Sequence, residues 1–233
     1  MSTPEPHRRR QRGPASTPSR TPSTRREKSG QADRLIAPTK AETAQLPPFA
    51  GLPLSQIHVP VSHAECRSAV DEILAAGTAG FDTEARPTFR VGQKSDGPHV
   101  VQFALTDKAF IFQLHHHECE QASAELIASK QLLKVGFGLK NDHGQIRDRL
   151  GITLHHVLDL DQVFRKQGYR GQIGVRGAIG VLLKQGFKKS KSVTTSNWSL
   201  PKLSPAQLLY AANDAYAALK IMEALQKEGL LES

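Results

Sequence analysis

The segment Gly80-Phe81-Asp82-Thr83-Glu84 is a predicted strand that carries two acids. Side chains alternate along a strand, so Asp82 and Glu84 share one face and Phe81 and Thr83 the other. Two carboxylates on one face repel unless a positive charge lies between them, and Mg²⁺ prefers such oxygen ligands. The alternative is a strand end in solvent with both acids hydrated.

The segments around this strand predict a mixed α/β domain. Ser62 and Glu65 form a capping box that begins a helix, and Gly77 ends it. Antiparallel strands followed by strand–helix alternation predict a mixed sheet flanked by helices. The predicted strands are 58–61, 80–84, 99–105, 109–114, 133–137 and 156–158, and the predicted helices are 63–76, 118–129, 142–149, 160–166, 172–184 and 205–227.

Two predicted helices carry further candidate residues. Asp142 lies at a helix start, where an acid also favours the helix dipole without any catalytic role. The last helix begins at Ser204, followed by Pro205, which is typical of a helix N-terminus. Tyr210 and Asp214 are four residues apart on it and share a face. The alternative is an exposed aspartate beside a half-buried tyrosine.

Together these candidates follow the order of three exonuclease motifs: Asp82, Glu84, Asp142, Tyr210 and Asp214. This order resembles the DEDD superfamily of 3′→5′ exonucleases. Its histidine branch has a histidine five residues before the last aspartate, where this chain has Leu209. The tyrosine branch has a tyrosine four residues before it, as here.

The resemblance extends between the motifs and is strongest to the Werner-syndrome-type exonuclease domain. It includes the segments 134–138, 189–192, 196–199 and 210–217, and it covers about residues 56–226. Ribonuclease D is a more distant relative. The resemblance implies a ribonuclease H-like fold, and we expect this exonuclease domain to span residues 47–233 after a tail at 1–46.

The resemblance also implies a two-metal-ion mechanism with Mg²⁺ or Mn²⁺. Asp82 would bridge both cations, and Glu84 and Asp214 would bind the cation that activates water. Asp142 would act mainly through water or on the second cation. Tyr210 would orient the attacking water, and the products would be nucleoside 5′-monophosphates.

Six residues are candidate nucleic-acid contacts, namely Arg86, Lys188, Lys189, Lys191, Trp198 and Lys202. Lysines can neutralise phosphates, and an aromatic ring can stack on a terminal base. The alternative is a solvated basic loop with its tryptophan in the core. We favour the core position for Trp198 and substrate contact for at least one lysine.

The net charge of +9 is concentrated at the N-terminus. Residues 1–50 hold ten Lys/Arg and four Asp/Glu, hence +6, and the remaining residues carry +3. Residues 1–46 are rich in Pro, Ser and Arg and show no apolar periodicity, which predicts a disordered tail. Such a tail favours nucleic acid, an anionic surface or a protein partner. The alternatives to such binding are a tail that only increases solubility and a transit peptide or nuclear signal.

Two cysteines cannot make a disulfide framework, which indicates a reducing compartment. No run approaches the ~18 apolar residues that a membrane helix needs, so we expect no membrane partner. We expect a cytoplasmic protein, associated with the nucleoid if bacterial, with nuclear and organellar locations as alternatives. Residues 115–117 with Cys119 lack a second ligand pair, so we do not predict zinc.

Four functions remain in competition. The first is a DNA-directed 3′→5′ exonuclease, which we favour because of the similarity around Ser196-Asn197-Trp198. The second is an RNA 3′ exonuclease of the ribonuclease D type, with the same catalytic residues. The third is an inactive module that binds nucleic acid or a partner, and the fourth is an unrelated α/β domain. The sequence leaves the oligomeric state open.

Overall fold

The computed structural model of the chain describes residues 1–2, 35–88 and 92–231. The chain divides into two units, Met1–Asp33 and Arg34–Ser233, and the second contains the fold. The predicted disorder of residues 3–34 lies outside the described residues.

The elements of the second unit follow the predicted order closely. The strands are β1 (Ile57–His58), β2 (Thr78–Glu84), β3 (Val100–Ala104), β4 (Ala109–Gln113), β5 (Leu133–Gly136) and β6 (Val157–Asp159). The α-helices are α1 (Lys40–Thr43), α2 (His63–Ala76), α3 (His117–Ala128), α4 (Lys140–Leu150), α5 (Leu160–Lys166), α6 (Gly174–Ala178), α7 (Lys191–Thr194) and α8 (Pro205–Lys227). The predicted helix 172–184 is α6 continued by a π-helical turn at Ile179–Leu183.

The six strands form one mixed sheet in the order β1-β4-β3-β2-β5-β6. Strand β3 is antiparallel to both of its neighbours, β2 and β4. Strand β1 is parallel to β4, and β2, β5 and β6 are parallel to one another. This arrangement confirms the predicted mixed α/β fold and puts β2 near the middle of the sheet.

Helices cover both faces of this sheet. Helices α2 and α3 pack on one face, over Phe81, Phe103 and Phe112. Their interface contains two buried free thiols, Cys66 and Cys119, whose Sγ atoms lie 3.7 Å apart. Helix α8 packs on the other face, and its alanines allow a close approach to the strands. The acids of β2 therefore face α8.

Local hydrogen bonds set the ends of the long helices. Ser62 and Glu65 form the predicted capping box of α2, and Gly77 ends it in the left-handed region at φ 69°. Ser204 and Gln207 form the same motif at the start of α8. These interactions connect residues close in the chain, so the sequence predicts them well.

Residues 35–46 are ordered, so the prediction that all of residues 1–46 is disordered is wrong for this segment. Thr39 caps α1, and Leu35 forms a bridge with Tyr169. Thr43 is buried. A few apolar contacts with the domain order a segment whose composition alone predicts disorder.

None of the helices in residues 35–88 and 92–231 combines the length and apolar character that crossing a membrane requires.

Candidate active site

Two of the predicted acids lie on β2, on the face covered by α8. Phe81 is fully buried in the cluster on the opposite face of the sheet. The alternation along β2 therefore places Asp82 and Glu84 on one face, as predicted, and α8 covers that face. Both are half-buried, which argues against the alternative of a strand end free in solvent.

Gly80 brings the third acid to the first two. A side chain at residue 80 would place its Cβ 1.9 Å from the carbonyl oxygen of Ala215 in α8. Only a glycine permits this approach of helix to strand. Asp214, the residue before Ala215, thereby joins Asp82 and Glu84, and one carboxylate oxygen of each lies within 4.8 Å of the others.

The three carboxylates disfavour one another's charge. Burial, together with the nearby carboxylates of Asp142 and Asp214, raises the pKa of Asp82 well above its usual range. Burial and the charge of Asp82 raise the pKa of Glu84 to about 9. Burial also raises the pKa of Asp214, although Lys189 opposes this shift. Such a cluster is stabilised by positive charge between the acids.

Lys189 supplies part of that charge. Its Nζ donates a hydrogen bond to Oδ2 of Asp214 at 2.6 Å, and its side chain is 33% exposed. Burial disfavours the ammonium, but Asp214 and Asp82 outweigh this and raise the pKa of Lys189. Oδ1 of Asp214 is buried and has no hydrogen-bond partner among the described residues. This free oxygen, with those of Asp82 and Glu84, fits the oxygen ligands of a divalent cation.

Asp142 stands beside this cluster and not within it. It lies in the first turn of α4, as predicted, and its Oδ1 accepts a hydrogen bond from Oγ1 of Thr83 at 2.5 Å. Burial raises its pKa. Thr83 holds this carboxylate at the edge of the site. The sequence did not predict this role of Thr83, because a threonine between two acids in a strand does not by itself indicate a contact with a third acid.

Tyr210 lies one turn before Asp214 on α8, where it contacts Lys189 and Thr194, the last residue of α7. Oγ1 of Thr194 donates a hydrogen bond to the Tyr210 hydroxyl at 3.1 Å. Nζ of Lys189 lies 5.4 Å from the centre of its ring. Burial raises the pKa of Tyr210, so its hydroxyl is protonated at neutral pH. The sequence did not single out Thr194, since it is one of several hydroxyl residues in the stretch 190–199.

Trp198 supports the site from the core. It is 1% exposed, and its ring centre lies 5.8 Å from that of Tyr210. Its Nε1 donates a hydrogen bond to the carbonyl oxygen of Thr194 at 3.4 Å. The favoured core position is confirmed. Its assignment as a nucleic-acid contact is wrong, because a buried ring cannot stack on a base.

The other predicted nucleic-acid contacts differ in their surroundings. Lys189 alone contacts the acids, whereas Lys188, Lys191 and Lys202 are exposed. Arg86 is exposed and paired with the carboxylate of Asp96. These exposed cations remain candidates for contact with a substrate backbone.

A cavity of about 450 Å³ borders the acids. Asp82, Asp214 and Lys189 line it, together with the polar side chains of Asn141 and Gln172. Its volume is within the range of about 300–1,000 Å³ typical of small-ligand sites. The arrangement can hold a cation and an anionic ligand next to each other.

A family model and several known proteins are similar to this chain. A family model described as 3'-5' exonuclease matches residues 58–230. A 3'-5' exonuclease of Arabidopsis thaliana is 30% identical over 63% of this chain and 52% of its own length. The mouse bifunctional 3'-5' exonuclease/ATP-dependent helicase WRN is 29% identical over 64% of this chain and 11% of its own length. The chain thus spans about half of the first relative and about a tenth of the second.

Solved structures share the fold at low sequence identity. The Aedes aegypti Nibbler EXO domain has a TM-score of 0.64 and 20% identity, covering 76% of this chain and 90% of that one. Trypanosoma brucei RNase D has a TM-score of 0.65 and 20% identity, covering 72% and 64%. These neighbours confirm the ribonuclease H-like fold. With the family match over most of the described domain, they lead to one conclusion: the chain belongs to the 3'-5' exonuclease family, within the DEDD superfamily.

Proposed function

We propose that the chain is a divalent-metal-dependent exonuclease that removes nucleotides one at a time from the 3′ end of a nucleic acid, with DNA as the favoured substrate. The observation that carries this proposal is the carboxylate cluster of Asp82, Glu84 and Asp214, whose oxygens lie within 4.8 Å of one another. The cluster lies in a member of the 3'-5' exonuclease family.

Asp82, Glu84 and Asp214 would hold the cations directly, and Asp142 would act mainly through water or on a second cation. Divalent cations in such a site supply an activated water near neutral pH and stabilise negative charge on the leaving oxygen. A strand or helix of the core holds each of these carboxylates in place, which positions them for this chemistry.

Tyr210 and Lys189 complete the proposed machinery. The Tyr210 hydroxyl, fixed by Thr194, would orient the attacking water toward the terminal phosphate. Lys189 would contact that phosphate from its place beside Asp214. In-line attack would release a nucleoside 5′-monophosphate and leave a strand one nucleotide shorter.

RNA is the second candidate substrate. Support for DNA comes from the resemblance of the Ser196-Asn197-Trp198 segment to the Werner-syndrome-type exonuclease domain. Support for RNA comes from the shared fold with Trypanosoma brucei RNase D, which was also solved in complex with RNA U12. A protein distinguishes the two through the 2′-hydroxyl.

The test uses 5′-labelled single-stranded DNA, recessed duplex DNA and single-stranded RNA of matching sequence. Each is incubated with the protein in Mg²⁺, Mn²⁺ or EDTA. We expect a metal-dependent ladder that shortens from the 3′ end, fastest on DNA. Faster cleavage of RNA would support the second candidate.

The matched variants are Asp214→Asn in the cluster and Asp107→Asn in an exposed turn. Asp214→Asn keeps the shape but removes a charge, so we expect a rate loss of at least about 10²-fold. Asp107→Asn should cleave like the unaltered protein. If Asp214→Asn cleaves at the full rate, or no substrate is degraded with either metal, the proposal is wrong.

A further inference from the structure

Gln102 is a fully buried polar residue at the centre of β3. Both its Nε2 and its Oε1 lie out of contact with solvent, and neither has a hydrogen-bond partner among the described residues. Buried amide groups nearly always have partners, because leaving them unpaired is costly. The surroundings do not require a polar side chain, since Val100, Ala104 and Ile111 share the same face of the sheet.

Gln102 lies directly across from a candidate metal ligand. The antiparallel pairing of β2 with β3 places Gln102 opposite Asp82. Directly opposed residues point to the same face, with Cβ atoms about 4.5–5.5 Å apart. An amide at this position is therefore within reach of the Asp82 carboxylate.

The other contacts of Asp82 leave room for such a donor. Oδ1 of Asp82 accepts a hydrogen bond from the backbone N–H of Thr83 at 2.9 Å. Lys189 bonds to Asp214 and not to Asp82. A carboxylate that binds a cation through one oxygen can still accept hydrogen bonds on both of its oxygens. Carboxylates that bind metals are usually hydrogen-bonded in this way.

We propose that Gln102 is a positioning residue for Asp82, whose side-chain N–H donates a hydrogen bond to the Asp82 carboxylate when that carboxylate holds a divalent cation. This inference rests on the proposed function, since it assigns a role in the same metal site. The amide would fix which way the carboxylate oxygens point. The isolated protein is then less stable than it would be with an apolar residue at this position.

The proposal makes opposite predictions for stability and for metal binding. Gln102→Met keeps a side chain of similar length and removes both unpaired polar atoms. In EDTA we expect its Tm to rise by a few degrees. We expect its Kd for Mn²⁺, measured by titration calorimetry, to weaken by about 10–100-fold, as for other residues that support metal ligands.

Gln113→Met is the matched control on the neighbouring strand. Gln113 is 5% exposed, and its Nε2 donates hydrogen bonds to the carbonyl oxygens of Leu200 at 3.0 Å and Pro201 at 3.4 Å. Its replacement removes satisfied hydrogen bonds away from the acids. We expect a lower Tm and an unchanged Kd for Mn²⁺.

Two results would overturn the proposal for Gln102. One is a Kd for Mn²⁺ within twofold of the unaltered protein. The other is a fall in Tm together with weaker Mn²⁺ binding, which would indicate general structural support. If the unaltered protein binds no Mn²⁺, the proposed metal-dependent function fails as well, so the two failures are distinguishable.

Discussion

The hydroxyl of Tyr210 is the one member of the proposed catalytic set that belongs to neither a carboxyl group nor a lysine. It is held by Thr194 and lies one helical turn from Asp214, so it can direct a water without binding a cation itself. Removing the hydroxyl should therefore slow the reaction and leave the metal site intact. We expect Tyr210→Phe to lower kcat by about 10²-fold, which single-turnover cleavage would measure.

Tyr216→Phe is the matched control on the same helix. Tyr216 packs against Phe49 and Lys220 and not against the acids. We expect its kcat to be unchanged. Equal losses in the two variants would mean that a phenol hydroxyl supports α8 in general and that Tyr210 has no special role.

Lys134 is a second unusual residue, away from the active site. It is fully buried, and its Nζ donates hydrogen bonds to the carbonyl oxygens of Leu126, Ser129 and Leu132 at 2.8–3.1 Å. Its ammonium thus caps the C-terminal end of α3, where a positive charge favours the helix dipole. Burial lowers its pKa to about 8.

This lowered pKa gives the stability a defined pH dependence. Between pH 8 and the ordinary lysine pKa of about 10.5, the unfolded chain keeps a proton that the folded protein releases, so stability rises with pH. Below pH 8 Lys134 is protonated in both the folded and the unfolded state, so the folded protein bears the full free-energy cost of burying the ammonium. Between pH 7.5 and 10.5, the free energy of unfolding of the unaltered protein should rise by up to about 3 kcal/mol relative to that of Lys134→Met. Urea unfolding of both proteins across this range measures it, and parallel pH curves would contradict it.

At the scale of elements, the contact between α8 and β2 creates the site. The backbone of α8 at Ala215 lies directly on Gly80, and this contact brings Asp214 to Asp82 and Glu84. A methyl group at residue 80 would force the helix away from the strand. We expect Gly80→Ala to destabilise the fold by about 3 kcal/mol or more. Its Mn²⁺ affinity should fall as well, as titration calorimetry would show.

Gly144→Ala is the control for this change. A Cβ at residue 144 in α4 would meet no atom within 4 Å. Since alanine restricts the unfolded chain more than glycine does, this variant should be neutral or more stable by up to about 1 kcal/mol. If Gly80→Ala behaves like Gly144→Ala in urea unfolding, the close contact does not determine the site.

At the scale of the whole molecule, positive charge is concentrated outside the catalytic domain. Residues 1–34 contain nine Lys/Arg and three Asp/Glu. Binding of polyanions by such a segment releases counterions and depends steeply on salt. We expect deletion of residues 1–34 to weaken binding of long single strands and to flatten the dependence of log Kd on log salt. The cleavage rate at saturating substrate should stay the same.

Fluorescence anisotropy at several salt concentrations measures this effect. A deletion that retains the salt dependence of the full chain would favour a solubilising tail. Residues 35–46 must remain in the deleted protein, because they pack on the domain.

The sequence alone determined the order and type of most elements, and both capping boxes. It also determined the shared face of Asp82 and Glu84. These features depend on alternation along a strand and on hydrogen bonds between residues three or four apart, so a local pattern contains the necessary information. The resemblance to a known family then predicted which acids belong together.

Only the tertiary structure decided how the site is built. The approach of α8 to Gly80, the bond from Lys189 to Asp214, the burial of Trp198 and the position of Gln102 opposite Asp82 all join residues far apart in the chain. Residues 35–46 are ordered for the same reason, since they contact parts of the domain that are distant in the chain. Such contacts depend on how finished elements pack against one another, and local propensity contains no record of that packing.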